Sequence, residues 1–450
     1  MSRLFGTDGV RGVANTELTP ELAFSLGRAG AYVLTKTSHH APRIIVGTDT
    51  RVSKDMLQAA LTAGLCSMGA LVYPAGVLPT PGIAYLVRKY GLDAGVVISA
   101  SHNAFQDNGI KFFNKEGYKL PDIIEDEIEY IINNALDTLP RPSGADTGYA
   151  VLCGSALSDY VEFLKSTVPG LDLSGMKISV DCANGATYMA GPMLFKDLGA
   201  EVLPVYNNPN GYNINDKCGS THIEALREHV LANKSDAGFA LDGDGDRLMC
   251  VDEKGNVIDG DQIMSICGWH RKCKGELVNN TIVATVMSNL GFFLMAKEKG
   301  INIEKTNVGD RYVLERMLLI NATLGGEQSG HVIFLEHNTT GDGLITALQL
   351  LKVMKEDNAP LSGLNTVMKV MPYVLLFAMV DNSKKSEFDS HPVIKAEIDA
   401  LNEKYKDSGR VLIRASGTEP KVRVLIEGSD EEMIREDAER VVKLIEMLLG

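Results

Sequence analysis

The sequence lacks the features that mark membrane, disulfide-rich and nucleic-acid-binding proteins. No apolar run approaches the roughly 20 residues that a membrane-spanning helix needs. The seven cysteines are odd in number and none are paired at C-x-x-C spacing, so we expect reduced thiols and no zinc site or disulfide framework. A net charge of −14 disfavours a nucleic-acid partner, which needs a basic stripe. It does not disfavour small anionic substrates, because a local cationic cluster can hold them.

The first residues also lack the apolar core of a secretory signal, since MSRLFG turns polar and glycine-rich at once. We therefore expect a cytoplasmic protein. A chain of 450 residues is too long for one hydrophobic core, and domains of about 100–150 residues predict three or four of them.

A strand–helix–strand pattern occurs three times, over residues 43–73, 177–203 and 281–303. Short apolar strands that alternate with helices indicate βαβ units. The pattern predicts an α/β protein with three related mixed domains that have βαβ cores. The last stretch has three predicted strands and two charged helices after residue 372, which is typical of a smaller α+β domain. The expected domain limits are 1–149, 150–253, 254–366 and 367–450.

Ser101 follows a predicted buried strand in the segment VVISASHN, residues 96–103. The carboxyl end of a strand is where α/β folds place ligands. The hydroxyl could cap a helix or act as a nucleophile, and both readings stay open at this point. The nearby His102 and Lys111 favour a chemical role, while the absence of G-x-S-x-G excludes a lipase-type elbow.

The segment LDGDGDR places Asp242, Asp244 and Asp246 at alternate positions separated by glycines. Three carboxylates this close would repel one another without a cation, and glycine lets the backbone turn their oxygens towards one ion. A calcium loop of the EF-hand type is the rival reading, with Glu253 at its twelfth position. Its sixth position requires glycine but is Arg247 here, so magnesium is the expected ion.

Two further polar loops are candidates for ligand binding. The loop GGEQSGH, residues 325–331, offers Glu327 and Ser329 to sugar hydroxyls or an amine, although a plain turn would read the same way. The segment RASGTEPKVR, residues 414–423, follows a predicted strand over residues 411–413 and combines hydroxyls, glycine and arginines. Arginine binds phosphate as a rigid fork, so this segment predicts a phosphate-binding loop, with a polar hairpin as the alternative.

Taken together, these segments resemble the α-D-phosphohexomutase superfamily and within it the bacterial phosphoglucosamine mutases. The shared marks are SHN at 101–103, DGDGDR at 242–247, GEQSGH at 326–331 and RASGTEP at 414–420. The marks closest to the glucosamine enzymes are FGTDGVRG at 5–12, DCANGA at 181–186, NIN at 213–215, CGSTH at 218–222, Gln328 and VGDRYVLER at 308–316. The family usually has proline after SHN, so Ala104 implies a slightly looser loop.

The resemblance implies a fold of four domains around a central cleft and an isomerase that stores a phosphoryl group on Ser101. Domains one to four would carry, in order, the phosphoserine loop, the metal loop, the sugar-binding loop and the phosphate-binding segment. Glucosamine 6-phosphate would become glucosamine 1-phosphate through a 1,6-bisphosphate, in UDP-N-acetylglucosamine and cell-wall precursor synthesis. The implied cofactors are Mg²⁺ and, as activator, glucosamine 1,6-bisphosphate or glucose 1,6-bisphosphate.

The resemblance also assigns roles to single residues. The implied metal ligands are phosphorylated Ser101, Asp242, Asp244 and Asp246. The implied catalytic residues are Ser101, His102, Lys111, Arg247 and His331. The implied substrate-binding residues are Thr7, Arg11, Gly309, Asp310, Glu327 and Ser329, and those for phosphate are Arg414, Ser416, Gly417, Thr418 and Arg423.

Three functions remain in play at this point. The first is a phosphoglucosamine mutase, and the second is a sister mutase that acts on glucose or mannose phosphates. The third is a non-enzymatic protein that binds metal or phosphosugar. The expected partner is a small phosphosugar; nucleic acid and membrane are not expected, and the resemblance allows a homodimer.

Overall fold

The computed structural model describes residues 3–6, 8–36, 40–388, 390–406, 408–416 and 420–450. Within them, eighteen strands form four sheets. The strands are β1 (Val10–Val13), β2 (Arg43–Thr48), β3 (Leu71–Val77), β4 (Ala94–Ile98), β5 (Asp107–Asn114), β6 (Tyr149–Ala150), β7 (Lys177–Asp181), β8 (Glu201–Val205), β9 (Ala237–Leu241), β10 (Leu248–Asp252), β11 (Val257–Ile258), β12 (Thr281–Thr285), β13 (Asn302–Thr306), β14 (Leu324–Gly326), β15 (Val332–Phe334), β16 (Tyr373–Met379), β17 (Gly409–Ala415) and β18 (Lys421–Gly428).

The helices alternate with these strands in the first three sheets. They are α1 (Pro20–Thr35), α2 (Lys54–Cys66), α3 (Thr80–Lys89), α4 (Asp122–Asn134), α5 (Ala156–Ser166), α6 (Ala190–Asp197), α7 (Glu224–Asn233), α8 (Gly260–Cys273), α9 (Leu290–Lys299), α10 (Asp310–Ile320), α11 (Gly343–Glu356), α12 (Leu361–Leu364), α13 (Pro392–Tyr405) and α14 (Glu431–Leu449). Among the described helices, none combines the length and the apolar character that crossing a membrane requires.

Three of the sheets share one strand order. Their common parts read β3-β2-β4-β5, β8-β7-β9-β10 and β13-β12-β14-β15. In each, the first three strands are parallel and the last is antiparallel to its neighbour. The central strands β4, β9 and β12 are buried along their whole length, which is why each reads as a continuous apolar run. The predicted class of three related α/β domains is confirmed.

The same turn in each of these sheets carries one of the sequence motifs. Ser101 lies between β4 and β5, the aspartates of residues 242–246 between β9 and β10, and residues 327–331 between β14 and β15. Each turn therefore joins the third strand of its repeat to the antiparallel fourth.

The chain divides into two units, of which the first comprises Met1–Met287 and Ile301–Val367 and holds these three sheets. Local sequence fixes several of its helix starts. Asp342 caps α11 by accepting from the Leu344 and Ile345 amides, and Asp259 forms a capping box with Gln262 at α8. Such caps satisfy amides that the helix itself leaves without acceptors.

The second unit comprises Ser288–Gly300 and Met368–Gly450. Its sheet runs β16-β18-β17 and is antiparallel throughout, and it packs with α13 and α14 around one apolar core. The start of α9 is held inside this unit, because the Leu290 amide donates to Glu427 at 2.8 Å. The prediction of a smaller α+β domain at this end is confirmed, while the predicted domain limits and central cleft stay predictions.

Candidate active site

Ser101 lies in the turn after β4 and is 2% exposed. Its φ is +51°, the left-handed region that non-glycine residues rarely adopt. The Oγ donates to Asp242 Oδ2 at 2.6 Å, and His102 Nδ1 lies 3.3 Å from it. The next regular element is the strand β5 and not a helix, so the alternative reading of Ser101 as a helix cap is wrong.

The three aspartates of residues 242–246 are buried together, and each offers an oxygen within 4.8 Å of the others. Gly245 has a φ of +75°, which lets the loop turn the carboxylates inwards. Strands flank the loop on both sides. Glu253 instead accepts hydrogen bonds from the amide and hydroxyl of Ser362. The calcium-loop reading is therefore wrong.

This cluster fits a divalent metal ion. Oδ1 of Asp244 and Oδ1 of Asp246 are buried, and among the described residues neither has a hydrogen-bond donor. Burial, followed by repulsion from Asp246 and Asp244, raises the pKa of Asp242 well above its usual value. Oxygens that lack donors and repel one another are what a hard cation such as Mg²⁺ compensates.

Lys111 reaches the cluster from β5 and is 1% exposed. Its Nζ lies 2.8 Å from Asp244 Oδ2 and 2.8 Å from Asp8 Oδ2. Burial alone would lower the pKa of Lys111, but Asp244 and Asp8 raise it above the usual value. Burial alone would also raise the pKa of Asp244, which Lys111 holds below its usual range. Lys111 is thus a fixed positive charge beside the aspartates.

His331 is buried at the end of the turn between β14 and β15. Its Nδ1 lies 3.4 Å from Asp246 Oδ2, and its Nε2 accepts from the Gly341 amide at 3.1 Å. Burial by itself would lower the pKa of His331, but Asp246 and then Asp310 raise it. The amide favours the neutral ring and the carboxylates favour the charged one, so the site supports both forms that a proton carrier needs.

Two more groups flank the aspartates. Burial, then Arg247 and Arg11, lower the pKa of His102 to about 4, so this ring is neutral near pH 7. The amide of Arg247 donates to Asp242 Oδ1 at 3.2 Å. Burial opposes the charge of the Arg247 guanidinium, but Asp246, Asp242 and Glu327 raise its pKa. The structure therefore gathers the predicted catalytic residues and the metal ligands in one place.

The predicted sugar-binding residues lie next to this group. Glu327 Oε1 accepts from the Gly309 amide at 3.0 Å. Asp310 begins α10, and Ser329 is exposed. Arg11 pairs with Asp8. Thr7 lies outside the described residues.

Sequence reasoning missed Asp8 and Lys119 as members of the site. Asp8 contacts Arg11, Lys111 and Lys119, and Lys119 also pairs with Asp310. These pairs, with His331 between Asp310 and the metal loop, form a continuous chain of alternating charge. The motif FGTDGVRG contained a signal for Asp8, whereas Lys119 lies in no motif.

The predicted phosphate-binding residues lie in the second unit. Arg414 pairs with Arg423 directly across β17 and β18, so both side chains stand on one face of the sheet. The prediction that Arg414 follows the strand is wrong, because β17 extends to Ala415. Burial, then Arg423, lower the pKa of Arg414. The Ser416 amide donates to Lys421 O at 2.8 Å, and Gly417 and Thr418 lie outside the described residues.

Family models and known proteins match this chain over nearly its full length. The models of phosphoglucomutase/phosphomannomutase alpha/beta/alpha domains I, II and III match residues 2–138, 158–255 and 259–371, and the model of the C-terminal domain matches 377–444. The phosphoglucosamine mutase of Ruminiclostridium cellulolyticum is 59% identical over 99% of both chains. That of Acetivibrio thermocellus is 57% identical over 100% of both chains.

Solved structures show the same fold. A phosphoglucomutase/phosphomannomutase family protein from Burkholderia thailandensis has a TM-score of 0.83 at 23% identity, over 100% of this chain and 99% of that one. An Aspergillus fumigatus N-acetylphosphoglucosamine mutase, solved with GlcNAc-6P and magnesium, has a TM-score of 0.71 at 18% identity, over 99% and 96%. With four matching domain models and relatives at 54–59% identity, the chain belongs to the phosphoglucosamine mutase family.

Proposed function

We propose that this chain interconverts glucosamine 6-phosphate and glucosamine 1-phosphate and that Ser101 carries the phosphoryl group between them. The observation that carries the proposal is the 2.6 Å hydrogen bond from Ser101 Oγ to Asp242, inside a buried group of three aspartates. Phosphoryl transfer needs positioning and neutralisation of charge more than covalent chemistry. The site supplies both, because a buried hydroxyl lies beside cationic side chains and beside carboxylates that fit a metal ion.

The reaction has two transfers. The 1-hydroxyl of glucosamine 6-phosphate attacks the phosphorus of phospho-Ser101, so an O1–P bond forms and the P–Oγ bond breaks. The product is glucosamine 1,6-bisphosphate, which turns in the site. Ser101 Oγ then attacks the 6-phosphate, so the P–Oγ bond forms again, the O6–P bond breaks and glucosamine 1-phosphate leaves. Glucosamine 1,6-bisphosphate or glucose 1,6-bisphosphate would activate the enzyme by supplying the first phosphoryl group.

We assign the metal to Mg²⁺, which Asp242, Asp244, Asp246 and a phosphate oxygen on Ser101 would hold. When bound, the ion would supply Lewis-acid stabilisation of the transferring phosphoryl group. Lys111 and Arg247 add positive charge. His331 is the proposed proton carrier, because Asp244 and Asp8 raise the pKa of Lys111 and keep that ammonium charged, and His102 packs as a neutral ring beside the serine.

Selectivity for the amino sugar is assigned to Glu327. Its Oε1 is held by Gly309, which orients the second oxygen for the 2-ammonium of the substrate. Thr7, Arg11, Gly309, Asp310 and Ser329 are proposed to bind the sugar. The phosphate that is not being transferred is assigned to Arg414, Ser416, Gly417, Thr418 and Arg423, since paired arginines on one sheet face favour a dianion.

The proposed setting is the cytoplasm, in synthesis of UDP-N-acetylglucosamine and cell-wall precursors. All seven cysteines are free thiols in the structure, which supports a reducing compartment.

Coupled turnover of glucosamine, glucose and mannose 6-phosphates, each with Mg²⁺ and a trace of the matching bisphosphate, tests the proposal. We expect the highest kcat/KM for the amino sugar. A higher value for glucose or mannose phosphate would establish a sister mutase instead. Turnover of none of them would favour a binding protein.

A further inference from the structure

The peptide backbone of the serine loop is held by two side chains from elsewhere in the sequence. Asn215 Nδ2 donates to Ser101 O and to Asn103 O, both at 2.9 Å. Arg51 Nη2 donates to the same two carbonyls, at 3.3 Å and 2.6 Å. Arg51 is fully buried and Asn215 is 8% exposed. Four hydrogen bonds thus converge on two carbonyl groups that no regular element satisfies.

Arg51 is itself fixed by a second set of contacts. Its guanidinium pairs with Asp49, and its amide donates to Asp49 Oδ1 at 2.9 Å. Ser99 Oγ donates to Asp49 Oδ2 at 2.5 Å and accepts from the Ser101 amide at 3.1 Å. The network therefore closes on Ser101 from both its amide and its carbonyl.

The strained backbone of Ser101 explains why such support is needed. A φ of +51° is strained in a residue other than glycine and persists only when the surroundings fix it. A relaxed Ser101 would move its side chain away from Asp242. Arg51 and Asn215 both donate to backbone oxygens, so their hydrogen bonds do not depend on whether Ser101 Oγ carries a phosphoryl group.

Asn215 also connects the serine loop to the metal loop. A Cβ added to Gly243 would lie 2.5 Å from Ser101 O and 2.8 Å from Asn215 Nδ2. The backbone amide of Asn215 donates to Ala183 O at 2.9 Å, and Asn215 and Ala183 both have positive φ. Asn215 of the NIN motif thus supports the reacting serine directly, and Ala183 of the DCANGA motif supports it through Asn215.

We propose that Asn215 and Arg51 are positioning residues that hold Ser101 in its left-handed conformation, with its Oγ facing the metal loop. The inference rests on the proposed function in so far as Ser101 is the phosphoryl carrier. It assigns to Asn215 an effect on the rate of phosphoryl transfer at Ser101 and not on sugar binding, because among the described residues its side-chain amide donates only to Ser101 O and Asn103 O.

The test uses Asn215→Asp, which keeps the shape and the tolerance for positive φ but turns an oxygen towards the two carbonyls. Asn213→Asp is the matched control, since Asn213 lies in the same segment but bonds Asn208 O and the Asn210 amide. The full chain is mixed with glucose 1,6-bisphosphate and Mg²⁺, and phosphorylation of Ser101 is followed by intact mass. Steady-state kinetics and thermal unfolding complete the set.

We expect Asn215→Asp to phosphorylate Ser101 about 100-fold more slowly than Asn213→Asp, as misplacement of a reacting group by about 1 Å would cause. kcat should fall in parallel, while KM for the sugar phosphate changes less than about threefold and Tm stays close to that of the control. Asn215→Gly, which relieves backbone strain but has no donor, should also be slow.

Equal phosphorylation rates in the two aspartate variants, or a loss explained by a smaller folded fraction, would overturn the inference. A fast Asn215→Gly would do the same. Failure of the unmodified chain to turn over glucosamine 6-phosphate would instead count against the proposed function, because the comparison of phosphorylation rates needs no sugar monophosphate.

Discussion

Ser101 Oγ and Asp242 Oδ2 lie 2.6 Å apart although their residues are 141 positions apart in the sequence. The hydrogen bond joins the turn after β4 to the turn after β9, so it depends on two different sheets. It also places the hydroxyl within reach of whatever the carboxylates bind. The following predictions test this site group by group.

Replacement of Ser101 by alanine should abolish the phosphorylated form and lower kcat by at least about 1,000-fold, because the nucleophile is lost. Intact mass with peptide mapping should find one phosphate on Ser101 in the active protein. Ser158→Ala, an exposed serine on α5, should keep both the phosphate and the activity. A fully active chain without phosphate on Ser101 would refute the mechanism.

Asp244→Asn should weaken Mg²⁺ binding and lower turnover by about 100-fold or more, since it removes one carboxylate charge from the ion and from Lys111. Calorimetric titration of Mg²⁺ measures the first effect and turnover at limiting Mg²⁺ the second. Asp236→Asn, at an exposed position, is the control. An unchanged affinity for Mg²⁺ in Asp244→Asn would show that the three aspartates do not form the metal site.

Glu327→Gln should reduce the preference for glucosamine 6-phosphate over glucose 6-phosphate by about 10- to 100-fold, the range expected when a charged hydrogen bond is lost. The ratio of the two kcat/KM values measures this preference. The exposed Glu276→Gln should leave the ratio unchanged. An unchanged ratio in Glu327→Gln would show that another group distinguishes glucosamine 6-phosphate from glucose 6-phosphate.

Lys119→Met should lower the free energy of unfolding by about 3 kcal/mol, because buried Asp310 loses its lysine partner and Asp8 keeps only Lys111 and Arg11 of its three cationic partners. Lys115→Met makes the same chemical change at a side chain that is 73% exposed and should cost less than about 0.5 kcal/mol. Urea unfolding of both variants provides the comparison. Equal free energies of unfolding in the two variants would show that the ion pairs of Lys119 do not stabilise the fold.

Asp342 should make stability depend on pH. Burial raises its pKa from 3.8 to about 6, so between pH 4 and pH 6 the folded chain retains a proton that the unfolded chain releases. The contribution of Asp342 to the free energy of unfolding therefore falls as pH rises through this window and is constant above it. Asn338 and Tyr160 also contact the carboxylate.

Asp342→Asn keeps a good helix cap but cannot titrate. The variant should gain stability relative to the parent between pH 4 and pH 7, by up to about 3 kcal/mol for a shift of about two pKa units. Urea midpoints at the two pH values measure the gain, with Asp236→Asn as control. A difference that does not change with pH would contradict the pKa assignment.

Much of the fold was predictable because each repeat has local sequence signals for its strands and turns. Continuous apolar runs predicted β4, β9 and β12. The turns that carry Ser101 and the three aspartates follow the apolar strands β4 and β9, and the turn of residues 327–331 follows the short strand β14. Glycine and aspartate in DGDGDR likewise signalled the metal loop, since that chemistry is local to six residues.

The groups that sequence reasoning missed act over long separations. Lys119 meets Asp310 across 191 residues, and Asn215 meets Ser101 across 114. Neither pairing leaves a local pattern, because a lysine or an asparagine reads as an ordinary loop residue until the tertiary fold supplies its partner. The same holds for the extension of β17 through Arg414, which is set by pairing with β18.

The turn between the third and fourth strands, repeated in three sheets, has an evolutionary consequence. If one ancestral βαβ unit was copied twice, a single loop position has diverged into the proposed nucleophile, the proposed metal site and the proposed sugar-binding loop. Each copy could specialise separately, since its strands are anchored in their own sheet. Substrate range can then drift through the third loop while the chemistry of the first two is preserved.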